Sequence, residues 1–134
     1  MTIAEYGCKQ VQQLLDRVVF ELHKCARTPG VETVHDLRVA IRRLTQALRV
    51  FREFVSPAAH KEIRKKLKDV MDAAAEVRDR DIALELCDEA QIGEDAALRL
   101  QLLNERTSAK RNLTRLLRRR ARASERWPAL LEER

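Results

Sequence analysis

The sequence predicts an all-α protein folded as an antiparallel four-helix bundle. Good helix formers such as Leu, Ala, Arg and Glu dominate the composition, and only 3 glycines and 3 prolines interrupt 134 residues. Apolar residues recur at helical spacing in four stretches separated by short turn-forming segments. A β-protein would need more turn residues and β-branched runs. The length suits one domain over residues 1–134, with its own core.

The first two helices are predicted over residues 3–27 and 34–55. In the first, Val11, Leu15, Val18 and Leu22 fall on one face, and Thr28-Pro29-Gly30 ends the helix. The second opens where a threonine stands three residues before a carboxylate, the arrangement of a capping box, at residues 33–36.

The third helix is predicted over residues 57–90, with Ser56 as its N-cap and Pro57 in its first turn. Its apolar face, continued in phase, would put Asp81 and Asp88 in the core. We therefore expect a kink or break near residues 77–81, with Asp79 or Asp81 capping the helical segment beyond it. A last turn around Gly93 precedes the fourth helix, residues 94–124, whose inward residues are Leu98, Leu102, Leu113 and Leu116.

Charge is segregated along the chain. The net charge is +6, but residues 69–95 hold ten acidic and two basic side chains, so the rest of the chain carries +14. Such separation indicates an anionic partner for the basic part. The three cysteines lack the spacing of a disulfide framework or a zinc site. We find no leader pattern and no apolar run of membrane-spanning length, so we expect a cytoplasmic protein without membrane contact.

The second helix carries a row of basic residues opposite its apolar stripe. His35, Arg38, Arg42 and Arg49 follow one another at steps of three, four and seven residues, which places them up one face. Arg38 and Arg42 have no acidic residue four positions away, whereas Arg49 has Glu53 at that distance. A solvated face is the ordinary explanation of such a row, but the use of arginine throughout favours phosphate binding, because the planar guanidinium binds phosphate oxygens bidentately.

The fourth helix carries a similar row of basic residues, with arginines at steps of four, three and four residues. Like charges at this spacing repel one another unless an anion relieves them. A second basic wall and a solvated basic tail are both compatible with the pattern. The residues of this candidate second wall are Arg111, Arg115, Arg118 and Arg122.

Two motifs together resemble the CHAD domain, the conserved-histidine α-helical domain. Residues 34–44 read VHDLRVAIRRL, and Leu67-Lys68 is followed by AAEVRDRDI at residues 74–82. The resemblance implies a helical domain that binds inorganic polyphosphate through a basic surface, in some members at polyphosphate granules. By matching positions, the polyphosphate-binding residues would be His35, Arg38, Arg42, Arg43 and Lys68, and the helical wheel adds Arg49.

The chain departs from the family pattern in ways that affect function. Thr45 stands where another base is usual, Ala75 replaces a glycine, and Arg80 replaces an apolar residue. Family members usually contain two four-helix halves that face each other across a basic cavity, and this sequence has the length of one half. We therefore expect either a homodimer, with its contact on apolar residues beside the basic row, or weaker binding on an open face.

These observations predict a non-catalytic polyphosphate-binding module with no cofactor and no metal. His35 has no carboxylate pair or cysteine cluster around it, so we expect it to make a hydrogen bond or a phosphate contact. Arg78, Asp79 and Asp81 are expected to be structural, as caps or as partners of helix-two arginines. A nucleic-acid-binding protein is a less favoured alternative, because no recognition motif is evident and Phe20, Phe51 and Phe54 are expected in the core. A phosphate-metabolising enzyme is the second alternative.

Overall fold

A computed structural model describes residues 1–132, and in them the chain is helical without a strand. The helices are α1 (Ile3–Arg27), α2 (Val31–Val50), α3 (Pro57–Glu89), α4 (Ala97–Ser124) and α5 (Trp127–Glu132), with a 3-10 turn at Arg52–Phe54. The predicted all-α fold is thus confirmed. The short α5 was not predicted, and it closes the bundle by burying Trp127 and Leu131.

The four long helices form an antiparallel bundle with one weak seam. α1 packs against α2 and α4, and α3 packs against α4, whereas α2 and α3 share a much smaller contact. One apolar residue from nearly every turn fills the centre, including Leu15, Leu44, Leu67 and Leu117, each no more than 1% exposed. Burial of such leucines contributes about 1.5–3 kcal/mol apiece, so the core specifies this arrangement.

Helix ends in the first half follow the sequence pattern except at the two ends of α2. Thr2 and Glu5 form a capping box at the start of α1, and the Ser56 hydroxyl accepts the Ala59 N–H at 3.4 Å to cap α3. The capping box expected at residues 33–36 does not form. α2 begins three residues earlier, after Gly30, and the Thr33 hydroxyl instead donates to the carbonyl of Thr28 at 2.9 Å. α2 also ends earlier than predicted, because the 3-10 turn follows Val50.

The break expected near residues 77–81 is absent, and α3 is one helix of 33 residues. The expectation was wrong because this part of α3 lies outside the main core and faces arginines of α4. Arg106 pairs with Asp81, and Arg99 donates to Asp88 at 2.7 Å. Carboxylates that the apolar phase would leave unpaired are therefore partnered, and the helix has no reason to end there.

A Schellman motif ends α3. The N–H of Ile92 donates to the carbonyl of Cys87 at 2.9 Å, and the N–H of Gln91 donates to the carbonyl of Asp88 at 3.1 Å. The left-handed residue is Gln91, with φ 57°, rather than the nearby Gly93. α4 then starts at Ala97, three residues later than expected.

The far end of the α3–α4 pair, residues 78–106, contributes no side chain to the main core. α3 is about 50 Å long and α2 about 30 Å, by the rise of an α-helix, so most of these residues extend past α1 and α2 as a helical hairpin. We call residues 78–106 the projecting hairpin. Leu98, expected inward, is 52% exposed there, and four other apolar side chains of this segment are exposed as well: Ile82, Leu86, Leu100 and Leu103. Further along α4, Leu117 is buried more fully than the predicted Leu116.

Candidate anion-binding groove

A groove opens at the end of the bundle where α1 gives way to the turn before α2. Its volume is about 450 Å³. Three helices meet there: the first turns of α2, the middle of α3 and the middle of α4. The apolar floor comes from Val31, Val34, Ala74, Val77 and Leu113. The weak seam between α2 and α3 leaves this space unfilled.

Basic side chains dominate the polar part of the lining. His35 and Arg38 come from α2, Arg78 from α3, and Arg106 and Lys110 from α4. Asp81 is the only carboxylate among the lining residues. An anion in the groove therefore meets four permanent positive charges and a histidine over partly apolar walls, where charge interactions exceed those in bulk water.

Arg38 is the residue most specifically arranged for an anion. Its side chain is half-buried, its Nε is shielded from solvent, and that atom has no hydrogen-bond partner within residues 1–132. No acidic side chain of the described chain forms an ion pair with Arg38 either. A shielded donor without a partner is costly even on a half-buried cation, and a bound phosphate oxygen would satisfy it.

The carboxylate of Asp81 forms its ion pair with α4 rather than with α2. Asp81 pairs with the Nε of Arg106, and both side chains are partly shielded, at 21% and 32% exposed. Arg78 lies at 3.9 Å from Glu85 on its own helix. Asp81 was expected to orient arginines of α2, and this expectation is wrong. Asp81 pairs with an arginine of α4, because α4 is the helix that faces α3 at this level.

The groove is continuous with the basic row of α4. Lys110 and Thr114 line both the groove and a shallow depression of about 290 Å³ along the outer face of α4. The other lining residues of that depression are Arg111, Arg115 and Arg118. Arg122 lies one turn further on the same side by its spacing. Three members of the predicted second wall are thus brought together beside the groove.

The helix-two row reaches the groove only at its first two members. Arg42, Arg43 and Arg49 lie further along α2, are exposed, and have no acidic partner among residues 1–132. Lys68 is also exposed, but it donates to Asp72 at 3.2 Å. Ten residues separate it from Arg78, so the two side chains point about 80° apart around α3. Of the six predicted residues, only His35 and Arg38 line the groove, and the other four lie outside it.

Sequence reasoning missed part of this site. Arg78 was assigned a structural role, and Arg106, Lys110 and Thr114 were not singled out. Their spacing of four residues on α4, running directly into the basic row, was the available signal. What the pattern could not show is that α4 passes the first turns of α2 at this level.

One expectation about aromatic residues is wrong. Phe20 is 52% exposed, with the guanidinium of Arg17 stacked 5.6 Å from its ring centre, whereas Phe51 and Phe54 are partly buried. Phe20 turns outward because its neighbour Glu21 takes the inward position and is 1% exposed. The argument against nucleic-acid binding that relied on three buried phenylalanines therefore fails for Phe20. The absence of a recognition motif is the argument that remains.

Metal-binding clusters and membrane-spanning helices are both absent from the part of the chain that the structure describes. No group of three or more His, Cys, Asp or Glu side chains within residues 1–132 is placed to hold a metal ion. No helix in that range combines the length and apolar character needed to cross a bilayer.

An antiparallel helical bundle with an arginine-lined groove at one end defines the class of this protein. The sequence matches the CHAD domain family over residues 9–134, and the chain belongs to that family. No curated protein and no solved structure shows significant similarity to it.

Proposed function

We propose that this protein binds inorganic polyphosphate in the cytoplasm and acts as a non-catalytic adaptor or as a module at the surface of polyphosphate granules. The observation that carries the proposal is the half-buried, unpaired Arg38 in a groove that Lys110 joins to the basic row of α4. A single small anion needs no such extension. A linear polyanion uses the groove and the row at once, so each contact raises the effective concentration for the next.

Membership of the CHAD family supports the same ligand. The unpaired arginines on α2 add a second direction in which a long chain can extend from the groove. Because arginine holds phosphate bidentately and loses little freedom per bond, these rows favour phosphate over weaker anions.

The direct test is a binding titration with polyphosphate of graded chain length at two salt concentrations. Each phosphate contact with a single-stranded polyanion contributes a slope of about −0.7 to log K against log [salt]. Affinity should rise with chain length and fall steeply with salt. Duplex DNA added as a competitor should displace the polymer only weakly. Stronger binding of DNA than of polyphosphate would contradict the proposal and favour the nucleic-acid alternative, and metal-dependent phosphate release would favour an enzyme.

We also propose that the chain forms a homodimer through the projecting hairpin. Its two helices expose several large apolar side chains, among them Leu86 and Leu98, which are available for contact with a partner. The hairpin holds eight acidic and four basic side chains, whereas the rest of the chain is strongly basic, so its charge complements the bundle of a second copy. A dimer contact through the hairpin lies away from the helix-two row, so it does not bring two basic faces together, where they would repel.

Sedimentation at tens of micromolar, roughly the range of a weak interface, tests the dimer. Leu86→Glu places a charge among the exposed apolar side chains and should yield a monomer. Gln13→Glu adds the same charge at an exposed position of α1 and should leave the dimer intact. A wild-type chain that sediments as a monomer with and without polyphosphate would rule out self-association. A dimer unaffected by Leu86→Glu would place the contact elsewhere.

A further inference from the structure

The ion pair of Asp81 and Arg106 lies within the candidate groove and is not explained by anion binding. Asp81 is the only carboxylate among the lining residues, and it occupies the guanidinium of Arg106. Its exposed neighbour on α3, Asp79, lies outside the lining. A groove built only to attract anions would leave Arg106 free.

Asp81 opposes anions in two ways. It holds a cation that an incoming phosphate could otherwise use, and its own charge repels that phosphate. Both effects are strengthened by partial burial and by the apolar residues of the floor, since fewer water molecules screen the charges. Asp81 therefore weakens the binding of every anion that enters the groove, because it competes with that anion for Arg106.

The penalty falls unequally on short and long anions. A short anion that fits the groove has no other contact, so the repulsion subtracts from all of its binding. A long chain is also held by the row outside the groove, through Arg111, Arg115 and Arg118. The segment at the groove can stay out of contact with Asp81 while the row holds the rest of the chain, so the repulsion removes at most the share of affinity that the groove contributes.

We propose that Asp81 is a specificity-determining residue that sets a minimum chain length, by making the groove bind short phosphate anions poorly while long chains stay bound. The proposal rests on polyphosphate binding as the function of the groove. In this proposal the acidic residue contributes to specificity as the arginines do. It disfavours the short phosphate anions that compete with long polyphosphate for the groove.

The test compares triphosphate with a long polyphosphate on wild type and two charge-matched variants. Asp81→Asn keeps the shape of the side chain and an oxygen that can accept from Arg106, but removes the competing charge. Triphosphate should bind this variant roughly tenfold more tightly, the size of effect expected for one like charge at a partly buried site. Long-chain affinity should rise less, by about threefold or below, because most of its contacts lie elsewhere. Asp79→Asn, the matched control, should change neither affinity appreciably.

Two more variants separate charge from structure. Asp81→Glu restores the charge and should restore the preference for long chains. Asp81→Ser is a second neutral replacement that decides the matter if Asp81→Asn fails to fold, which a thermal melt would reveal. Equal gains for both ligands, or no gain for triphosphate, would overturn the length threshold even with wild-type polyphosphate binding intact. Failure of wild type to bind long polyphosphate would instead overturn the function itself.

Discussion

The guanidinium of Arg120 in α4 donates to the carboxylate of Asp69 in α3 at 3.0 Å. The Arg120 side chain is only 12% exposed. Its neighbours Arg118 and Arg119 are exposed, and Arg118 lines the depression beside the groove. Three consecutive arginines therefore divide into one that ties two helices together and two that face solvent, because successive residues of a helix point about 100° apart.

This division predicts opposite effects of two alanine substitutions. Arg120→Ala should lower the free energy of unfolding by about 1–2 kcal/mol, because it removes a partly shielded charged hydrogen bond but leaves a carboxylate that is half exposed. Arg118→Ala should leave stability nearly unchanged and weaken polyphosphate binding. Urea unfolding and a binding titration on both variants provide the comparison. If Arg118→Ala proves the more destabilising of the two, the assignment of roles is wrong.

Most of the fold was predictable because the apolar spacing is local information. The bounds of α1 were predicted correctly, as was the Ser56 cap of α3, since each depends on residues within a few positions. The predicted break in α3 failed for a reason beyond local pattern. The partners of Asp81 and Asp88 are arginines 25 and 11 residues away, which only the antiparallel pairing of α3 and α4 brings within reach.

The residues of the candidate groove were predictable only in part. His35 and Arg38 followed from the helical wheel and the family resemblance, and both line the groove. Arg106 and Lys110 did not, because they join Arg38 only where three helices of different sequence position meet. The wheel shows which residues share a face of one helix, but it does not show which faces meet at the same height in a bundle.

The turn that ends α3 offers a stability prediction. Gln91 holds a left-handed conformation, with φ 57°, that glycine adopts without strain from a Cβ. Gln91→Gly should therefore stabilise the protein by up to about 1 kcal/mol, measured as a rise in melting temperature. Gln91→Ala keeps a Cβ in the same conformation and should bring no such gain. Because the turn lies at the tip of the projecting hairpin, neither change should alter binding of polyphosphate.

His60 predicts a dependence of stability on pH. This histidine at the start of α3 is 9% exposed, and burial, followed by the charges of Arg64 and Arg52, lowers its pKa. The unfolded chain then takes up a proton more readily than the folded one, so stability should fall as pH drops through the ordinary range of histidine. His60→Gln should lose less unfolding free energy than wild type between about pH 7.5 and pH 5.5. Identical losses in the two proteins would show that His60 is not the group responsible.

Arg42 provides the sharpest test of the helix-two row, because it is exposed, has no ion-pair partner among residues 1–132, and lies one turn beyond Arg38. If the five basic residues Arg38, Arg42, Arg43, Arg49 and Lys68 all contact the polymer, log K against log [salt] should have a slope of about −3 to −4 per protomer. Arg42→Ala should weaken binding and make the slope shallower by about 0.7, with an unchanged melting temperature.

Two further variants show whether geometry or charge matters at Arg42. Arg42→Lys keeps the charge but not the bidentate fork, so it should restore affinity only in part. Lys9→Ala removes an exposed base on α1, outside both basic rows, and should leave affinity and slope near wild type. Equal weakening by Lys9→Ala and Arg42→Ala would mean that the polymer senses only the overall positive charge. If Arg42→Ala unfolds the protein while the folded fraction binds normally, the row on α2 is structural and the binding surface must lie on α4.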